Sequence, residues 1–150
     1  MKFLLTLIIF ISFQSCSKSN PIPTKKLFPS SYMPQSDLKN IDFKNRELIA
    51  IHIKNKFYYL RKDGKMIETV EYDGQADEFS DGLARTKIDG KIGFFNSNLE
   101  IVLKPIYDFA FPFHNGTSEI CMGCKDKGQE SLLDGGKWKT INREGLVIEE

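Results

Sequence analysis

Two cysteines near the C-terminus carry the sharpest chemical signal in this 150-residue sequence. Cys121 and Cys124 have the CxxC spacing, which serves a disulfide, a metal site or a thiol redox centre. A redox thiolate is stabilised at the start of a helix in a βαβ unit, whereas these cysteines follow a predicted β-strand. A zinc site needs two further ligands, and His52 and His114 are the only histidines. We therefore rank a structural disulfide first, two free thiols second and redox catalysis last, and we expect no metal and no cofactor.

A third cysteine, Cys16, ends the N-terminal segment and indicates lipid attachment. After Lys2, the run from Phe3 to Phe13 is long enough for the core of a signal peptide and too short for a membrane span. The small residue Ser15 directly before Cys16 resembles a bacterial lipoprotein cleavage site. We expect cleavage before Cys16, and acylation of its thiol and new amino group would anchor the protein stably. An ordinary secretory signal with a chance cysteine is the alternative.

Charge restricts the partners of the mature chain. The sequence holds 21 basic and 20 acidic residues, and cleavage before Cys16 removes only Lys2 among them. The mature chain is then neutral and has no basic patch, so we expect no nucleic-acid binding. Ser17 stands where an Asp would retain a lipoprotein at the inner membrane of enteric bacteria, and we therefore expect the outer membrane.

Two aspartates recur at a fixed spacing and expose an internal repeat. Tyr72-Asp73 and Tyr107-Asp108 lie 35 residues apart, a period typical of stacked supersecondary units. The same offset, within one residue, relates three further pairs: Ala76 and Ala110, Phe79 and Phe113, Gly82 and Gly116. A catalytic pair of aspartates would have to converge in one cleft. Capping of a turn through backbone N–H groups explains the recurrence better.

The elements that position these residues are predicted to be β-strands and tight turns. From Glu47 onward, apolar residues alternate with others, as in Ile49, Ile51 and Ile53, and Asp-Gly and Asn-Gly signals mark turns. Outside the N-terminal segment, no window has the apolar spacing of a three-turn helix. We expect an all-β fold, an array of short antiparallel β-hairpins that bury their aromatic residues between units.

The motifs of this repeat resemble the WG repeat family of bacteria. The family pattern joins a Lys-x-Gly-aromatic strand, a Pro-x-Tyr-Asp segment and a closing Phe-x-x-Gly-Leu-Ala. These segments are matched by Lys91 to Phe95, Lys104 to Asp108 and Phe79 to Ala84, and a truncated third copy opens at Gly136. The resemblance implies a β-hairpin array and, in most members, no established activity. The repeat positions expected to serve the structure are Tyr72, Asp73, Phe79, Gly82, Gly93, Phe94, Pro105, Tyr107, Asp108, Phe113, Gly116, Trp138 and Gly145.

These observations predict a signal peptide (1–15), a lipidated N-terminus with a Pro- and Ser-rich tether (16–44), and a β-repeat domain (45–150) with two full copies and a truncated third. The sequence lacks a nucleophile elbow and a phosphate-binding glycine loop, so we do not expect an enzyme. We predict a membrane-anchored lipoprotein whose repeat domain is a non-catalytic interaction or structural module of the cell envelope, with an envelope protein or a glycan as partner. A thiol–disulfide activity of Cys121 and Cys124 is the alternative.

Overall fold

The computed structural model describes residues 31–126 and 133–149, and its regular structure is nearly all β, as the sequence predicts. Cys16 and the expected signal peptide lie outside the described residues. Within the described ranges, no helix is long and apolar enough to cross a membrane. The elements are β1 (Ser31–Tyr32), α1 (Gln35–Leu38), β2 (Leu48–Ile53), β3 (Lys56–Arg61), β4 (Lys65–Thr69), β5 (Glu71–Tyr72), β6 (Gln75–Ala76), β7 (Leu83–Ile88), β8 (Lys91–Asn96), β9 (Ile101–Tyr107), β10 (Phe109–Ala110), β11 (Thr117–Met122), β12 (Lys125–Asp126), β13 (Leu133–Asp134), β14 (Lys137–Asn142) and β15 (Val147–Glu149).

Three antiparallel sheets form the body of the domain. Sheet 1 has the strand order β1-β4-β3-β2, sheet 2 the order β7-β8-β9, and sheet 3 the order β10-β11-β14-β15. Each sheet is built on a three-stranded meander, and this repeated unit confirms the predicted hairpin array. The ribbon β5-β6 connects sheet 1 to sheet 2, while the ribbon β12-β13 interrupts sheet 3 between β11 and β14. The strand β2 is an integral strand of sheet 1, and β14 and β15 are integral strands of sheet 3.

One turn recurs in all three sheets and shows how a large residue can replace glycine. In each copy, the N–H of a left-handed residue donates to the carbonyl three residues earlier: Gly64 to Arg61, Leu99 to Asn96, and Gly145 to Asn142. Leu99 has a φ of 57° and is buried. A left-handed non-glycine residue costs about 1 kcal/mol. Burial of the leucine side chain, which contributes roughly 2 kcal/mol, offsets that cost.

The strands β7 and β8 of sheet 2 are largely buried on both faces because sheet 2 lies between the other two sheets, whereas β9 exposes Val102 and Ile106. Phe95 faces sheet 1, where it packs in a cluster with Ile67 and Leu99, and it is 0% exposed. The next side chain back, Phe94, points the opposite way and contacts Phe113 with a ring-centroid distance of 4.8 Å. Adjacent apolar residues on a strand are therefore a sign that both of its faces are covered.

Residues 33–43 cover the outer face of sheet 1. The composition of this segment is typical of a tether, but its spaced apolar side chains find a hydrophobic surface on the sheet and bury there. The Met33 N–H also donates to the Gly64 carbonyl at 2.9 Å. The cluster that forms consists of Met33, Leu38, Ile41, Phe43, Ile49, Ile51, Ile53, Tyr58, Leu60 and Met66. The N-terminal end of the stack is thus closed by the chain itself.

Candidate functional site

The outer face of sheet 3 carries three aromatic side chains that form one group. Phe109 on β10 pairs with Cys121 on β11, which pairs with Trp138 on β14, and residues opposite each other in antiparallel strands share a face. Phe111 follows Phe109 by two residues and lies on the same face. The ring centroids are 5.0 Å apart for Phe109 and Phe111, 5.9 Å for Phe109 and Trp138, and 6.0 Å for Phe111 and Trp138. We call Phe109, Phe111 and Trp138 the aromatic patch.

The aromatic patch is exposed although it is rich in apolar surface. Phe111 is 46% exposed and Trp138 is 40% exposed, whereas Phe109 is half-buried. The next row of this face consists of Phe111, Glu119 and Thr140. The Phe111 N–H donates to the Glu119 carbonyl at 2.9 Å, and Glu119 pairs with Thr140. The face therefore combines aromatic rings with a carboxylate and a hydroxyl.

The two C-terminal cysteines form a disulfide beneath the aromatic patch. Their Cα atoms are 6.0 Å apart, Cys121 is 0% exposed and Cys124 is 8% exposed. Gly136 packs against them so closely that a Cβ there would lie 2.6 Å from each sulfur atom. The bond closes the corner where β11 leaves sheet 3, and the aromatic rings of Phe109 and Trp138 flank Cys121 in the register.

The two recurring aspartates both serve the scaffold, but in different ways. Asp108 pairs with Lys91 of sheet 2 and accepts the Gly123 N–H at 2.5 Å. The hydrogen bond from Lys91, together with that N–H, lowers the pKa of Asp108 from its usual value. Asp73 instead occupies the turn of the β5-β6 ribbon, where it takes a left-handed φ of 50°. Asp108 therefore links sheet 2 to the corner of sheet 3.

A buried ion pair that the sequence analysis does not identify joins the link after sheet 1 to sheet 2. Arg85 Nη2 lies 2.5 Å from Asp77 Oδ1, and Arg85 Nε lies 3.1 Å from Asp77 Oδ2. The backbone N–H of Arg85 donates to Asp77 as well, and Arg85 Nη1 donates to the Ala110 carbonyl at 2.9 Å. Phe111 and Glu119 stand at the equivalent positions of the second copy. A search for recurring residues therefore misses this pair.

The recurring phenylalanines and glycines also serve the scaffold. Phe79 packs between Tyr59 and Phe95, with ring-centroid distances of 4.8 and 5.5 Å, and Phe113 packs in the equivalent place between sheets 2 and 3. A Cβ on Gly93 would lie 2.7 Å from the Leu103 carbonyl oxygen. The close approach at this glycine is thus to β9 of the same sheet, not to a neighbouring unit.

The remaining signature residues occupy turns and strand surfaces. Gly82 and Gly116 are the left-handed residues of equivalent turns, and the carboxylate of Asp81 accepts the Gly116 N–H at 2.8 Å. Tyr107 is buried, and its burial raises its pKa, whereas Pro105 on the same strand is half-buried. Tyr72 is exposed, with its ring centroid 5.8 Å from the guanidinium carbon of Arg85.

A shallow cleft of about 290 Å³ lies beside the ion pair, between sheets 2 and 3. Its lining includes Arg85, Lys87, Asp108 and Phe109. Arg85 and Asp108 are already held in the pairs described above. Among the described residues, no group of three or more His, Cys, Asp or Glu side chains could hold a metal ion.

Comparison with known proteins identifies the repeat. The family described as WG containing repeat matches residues 59–91 and 92–125. No curated protein and no solved structure matches the chain. Each matched segment begins on the middle strand of one sheet and runs through the link into the next, so the family unit spans two neighbouring sheets. The chain therefore contains two WG repeats, and these two copies connect three stacked sheets.

Proposed function

We propose that this protein is a lipid-anchored, non-catalytic interaction module of the bacterial cell envelope, and that the aromatic patch is the surface it presents. The observation that carries the proposal is the exposure of Phe111 and Trp138 on a face whose equivalent in sheet 2 is covered. Apolar side chains that are exposed together on the surface of a folded domain often mark an interaction site.

The equivalent positions of sheets 2 and 3 show what sets this face apart. Counted back from the equivalent turns at Asn96 and Asn142, Trp138 occupies the place of Ile92, which sheet 3 buries. Thr140 occupies the place of Phe94, which is 1% exposed. The outward face of sheet 3 thus loses a large apolar residue at its centre and gains a tryptophan at its margin. That exchange suits a surface that meets water and a ligand in turn.

The position of the proposed anchor is consistent with an accessible aromatic patch. The chain that leads from Cys16 enters the domain at β1, on sheet 1. Sheet 3 lies at the other end of the stack, because sheet 2 separates it from sheet 1. A lipid on Cys16 would therefore be connected to the domain at the end of the stack opposite the aromatic patch.

Two experiments test the two parts of the proposal separately. Replacing Cys16→Ala should move the protein from the membrane fraction to the soluble fraction or leave an unprocessed precursor, and an unchanged membrane fraction would contradict the anchor. Incorporation of p-benzoylphenylalanine in place of Phe111 in living cells should yield cross-links to an envelope component under ultraviolet light. The same group in place of Tyr32, an exposed aromatic residue on sheet 1, is the control. Equal cross-linking at both positions would contradict the assignment of the surface.

A thiol–disulfide activity has less support. A substrate thiol must reach a disulfide sulfur directly. Here Cys121 is fully buried, and Gly136 lies against both sulfur atoms. The pair also sits at the end of a strand, without the helix start that lowers the pKa of a redox cysteine.

A further inference from the structure

We propose that the aromatic patch binds a sugar ring of a glycan, and that Glu119 and Thr140 bond to the hydroxyl groups of that sugar. The inference rests on the proposed function, because it names the ligand of the same face. It is carried by the arrangement of the three rings, by the polar row beside them and by the size of the exposed surface.

The three rings contact one another as a platform, in which Phe109 stands at a steep angle to Phe111 and Trp138, and they do not form a cage. A cage for a methylated ammonium group leaves a gap between its rings into which the cation fits. Here the ring centroids are only 5.0 to 6.0 Å apart, so the rings contact each other and leave no such gap. The planes of Phe111 and Trp138 differ by 29°, so the two most exposed rings are close to parallel.

A pyranose ring complements this platform. The face of an aromatic ring is electron-rich, and the C–H bonds on one face of a pyranose carry a partial positive charge, so the two surfaces attract as they exclude water. Because the rings of the patch are already held against one another, little conformational entropy is lost when the ligand binds.

The polar row beside the platform supplies the hydrogen bonds that a sugar requires. Glu119 is an exposed carboxylate that accepts from hydroxyl groups, and Thr140 offers a hydroxyl that donates and accepts. Both side chains lie one row from Phe109 and Trp138 on the same face. Strands are spaced about 4.8 Å apart and residues of one face about 6.8 Å apart along a strand, which matches the width of a sugar ring with its hydroxyl groups.

The exposed apolar area is too small for a stable pairing of two copies of this chain. The three aromatic residues together expose roughly 250 Å², whereas each partner of a standard interface contributes about 800 Å², of which more than half, roughly 450 Å², is apolar. The other end of the stack is covered by residues 33–43, so the patch finds no equivalent open end on which to stack. A small, rigid, hydroxyl-rich ligand fits the area better.

Trp138 makes the proposal directly testable, because it is the only tryptophan in the chain. The full chain in detergent micelles is titrated with chitohexaose and with cellohexaose, and tryptophan emission is recorded. We expect a saturable change in emission, with a shift to shorter wavelength, for at least one oligosaccharide. Sorbitol, a polyol without a ring, should cause no change at the same concentration.

Variants locate the binding at the patch. Phe111→Ala should weaken binding about fivefold or more, since one aromatic contact is lost. Glu119→Gln should weaken it by a smaller factor, while Tyr32→Ala should leave it unchanged. Calorimetric titration of Trp138→Phe provides the same comparison without fluorescence.

Three results would overturn the proposal. The first is an unchanged emission with both oligosaccharides. The second is a shift to shorter wavelength with rising protein concentration alone, which would assign the face to a second copy of the chain. The third is a shift with phosphatidylglycerol and phosphatidylethanolamine vesicles but not with the sugars, which would assign it to the membrane surface. If the sugars fail while p-benzoylphenylalanine at Phe111 still cross-links to an envelope protein, the interaction module stands and the glycan ligand does not.

Discussion

Sheet 2 and sheet 3 are copies of one meander that meet opposite surroundings. The middle strand of sheet 2 is packed on both faces, with Phe94 and Phe95 pointing to opposite neighbours. Sheet 3 keeps the inward residue of this pair as Ile141, which is buried, but has Thr140 in place of the outward one. Within the part of the chain that the structure describes, no further sheet packs on the outer face of sheet 3. The position of Thr140 therefore does not belong to a core, unlike that of Phe94. At the end of a β stack, side chains of a repeat that would otherwise pack in the core are free to contact a ligand.

The two ends of the stack differ in the same sense. Residues 33–43 close the outer face of sheet 1 with apolar side chains from the chain itself. The outer face of sheet 3 displays Phe111 and Trp138. In a stack whose ends were simply capped for solubility, both faces would be polar or covered.

The largest expected effect separates the buried face from the open one. Phe94→Ala should reduce the free energy of unfolding by about 4 kcal/mol, because it leaves a cavity between sheets 2 and 3. Thr140→Ala at the equivalent position of sheet 3 should change it by less than about 0.5 kcal/mol. Urea denaturation followed by circular dichroism measures both. Similar losses for the two variants would mean that the outer face of sheet 3 is packed as tightly as that of sheet 2.

The buried ion pair should give the next largest effect. Asp77→Ala should cost about 3 kcal/mol in urea denaturation, because it leaves the Arg85 guanidinium buried without its carboxylate. The double variant Asp77→Leu with Arg85→Met should recover most of that loss, since an apolar pair of similar size needs no counter-charge. Glu119→Met, the equivalent change on sheet 3, is the matched control and should have little effect. A double variant no more stable than the single one would show that the hydrogen bonds to the backbone, and not the charge pair, matter most.

Removal of the disulfide should have a moderate effect on stability. Cys121→Ser with Cys124→Ser should reduce the free energy of unfolding by about 2 kcal/mol, because the bond closes only a short loop. The emission band of Trp138 should also broaden in this variant, because Trp138 pairs with Cys121 in the register. Thiol titration of the unfolded wild-type protein should find the pair oxidised. Two free thiols in that titration would show that Cys121 and Cys124 do not form a disulfide.

The smallest effect concerns the carboxylate that ties sheet 2 to the corner of sheet 3. Because Lys91 and the Gly123 N–H lower the pKa of Asp108 in the folded protein, its stabilisation is present above the ordinary aspartate pKa. This stabilisation decreases as pH falls below the ordinary aspartate pKa, and it is lost once pH has fallen through the lowered pKa of the folded protein. Asp108→Asn should thus destabilise the protein slightly at pH 7, by less than about 1 kcal/mol, and reduce the loss of stability in acid. Melting temperatures between pH 2 and pH 7 would measure this, and an identical acid dependence in the variant would contradict it.

The local rules of the sequence predict much of this fold. Alternating apolar residues and the Asp89-Gly90 and Asn115-Gly116 signals predict strands and turns that the structure contains. Recurrence predicts the stacking, because an aromatic residue that returns in each copy, such as Phe79 and Phe113, packs between sheets. These features depend on a few neighbouring residues or on the repeat itself.

The features that the sequence does not predict depend on contacts between distant segments. The covering of sheet 1 by Met33 and Leu38 depends on a surface that exists only after folding. The ion pair of Asp77 and Arg85 occurs in one copy only, so recurrence cannot reveal it. Trp138 reads as an ordinary signature residue, and its exposure follows from what packs on sheet 3 and not from its own strand.

We propose that the aromatic patch is open in the free protein and is covered by a ligand in the envelope. Acrylamide quenching of Trp138 emission tests it most directly, because the chain contains no other tryptophan. The full chain in detergent, at low protein concentration, should be quenched readily, and addition of a glycan-containing envelope extract should protect Trp138. If Trp138 is already protected in the free protein, or stays equally accessible in the extract, the aromatic patch is not the interaction surface.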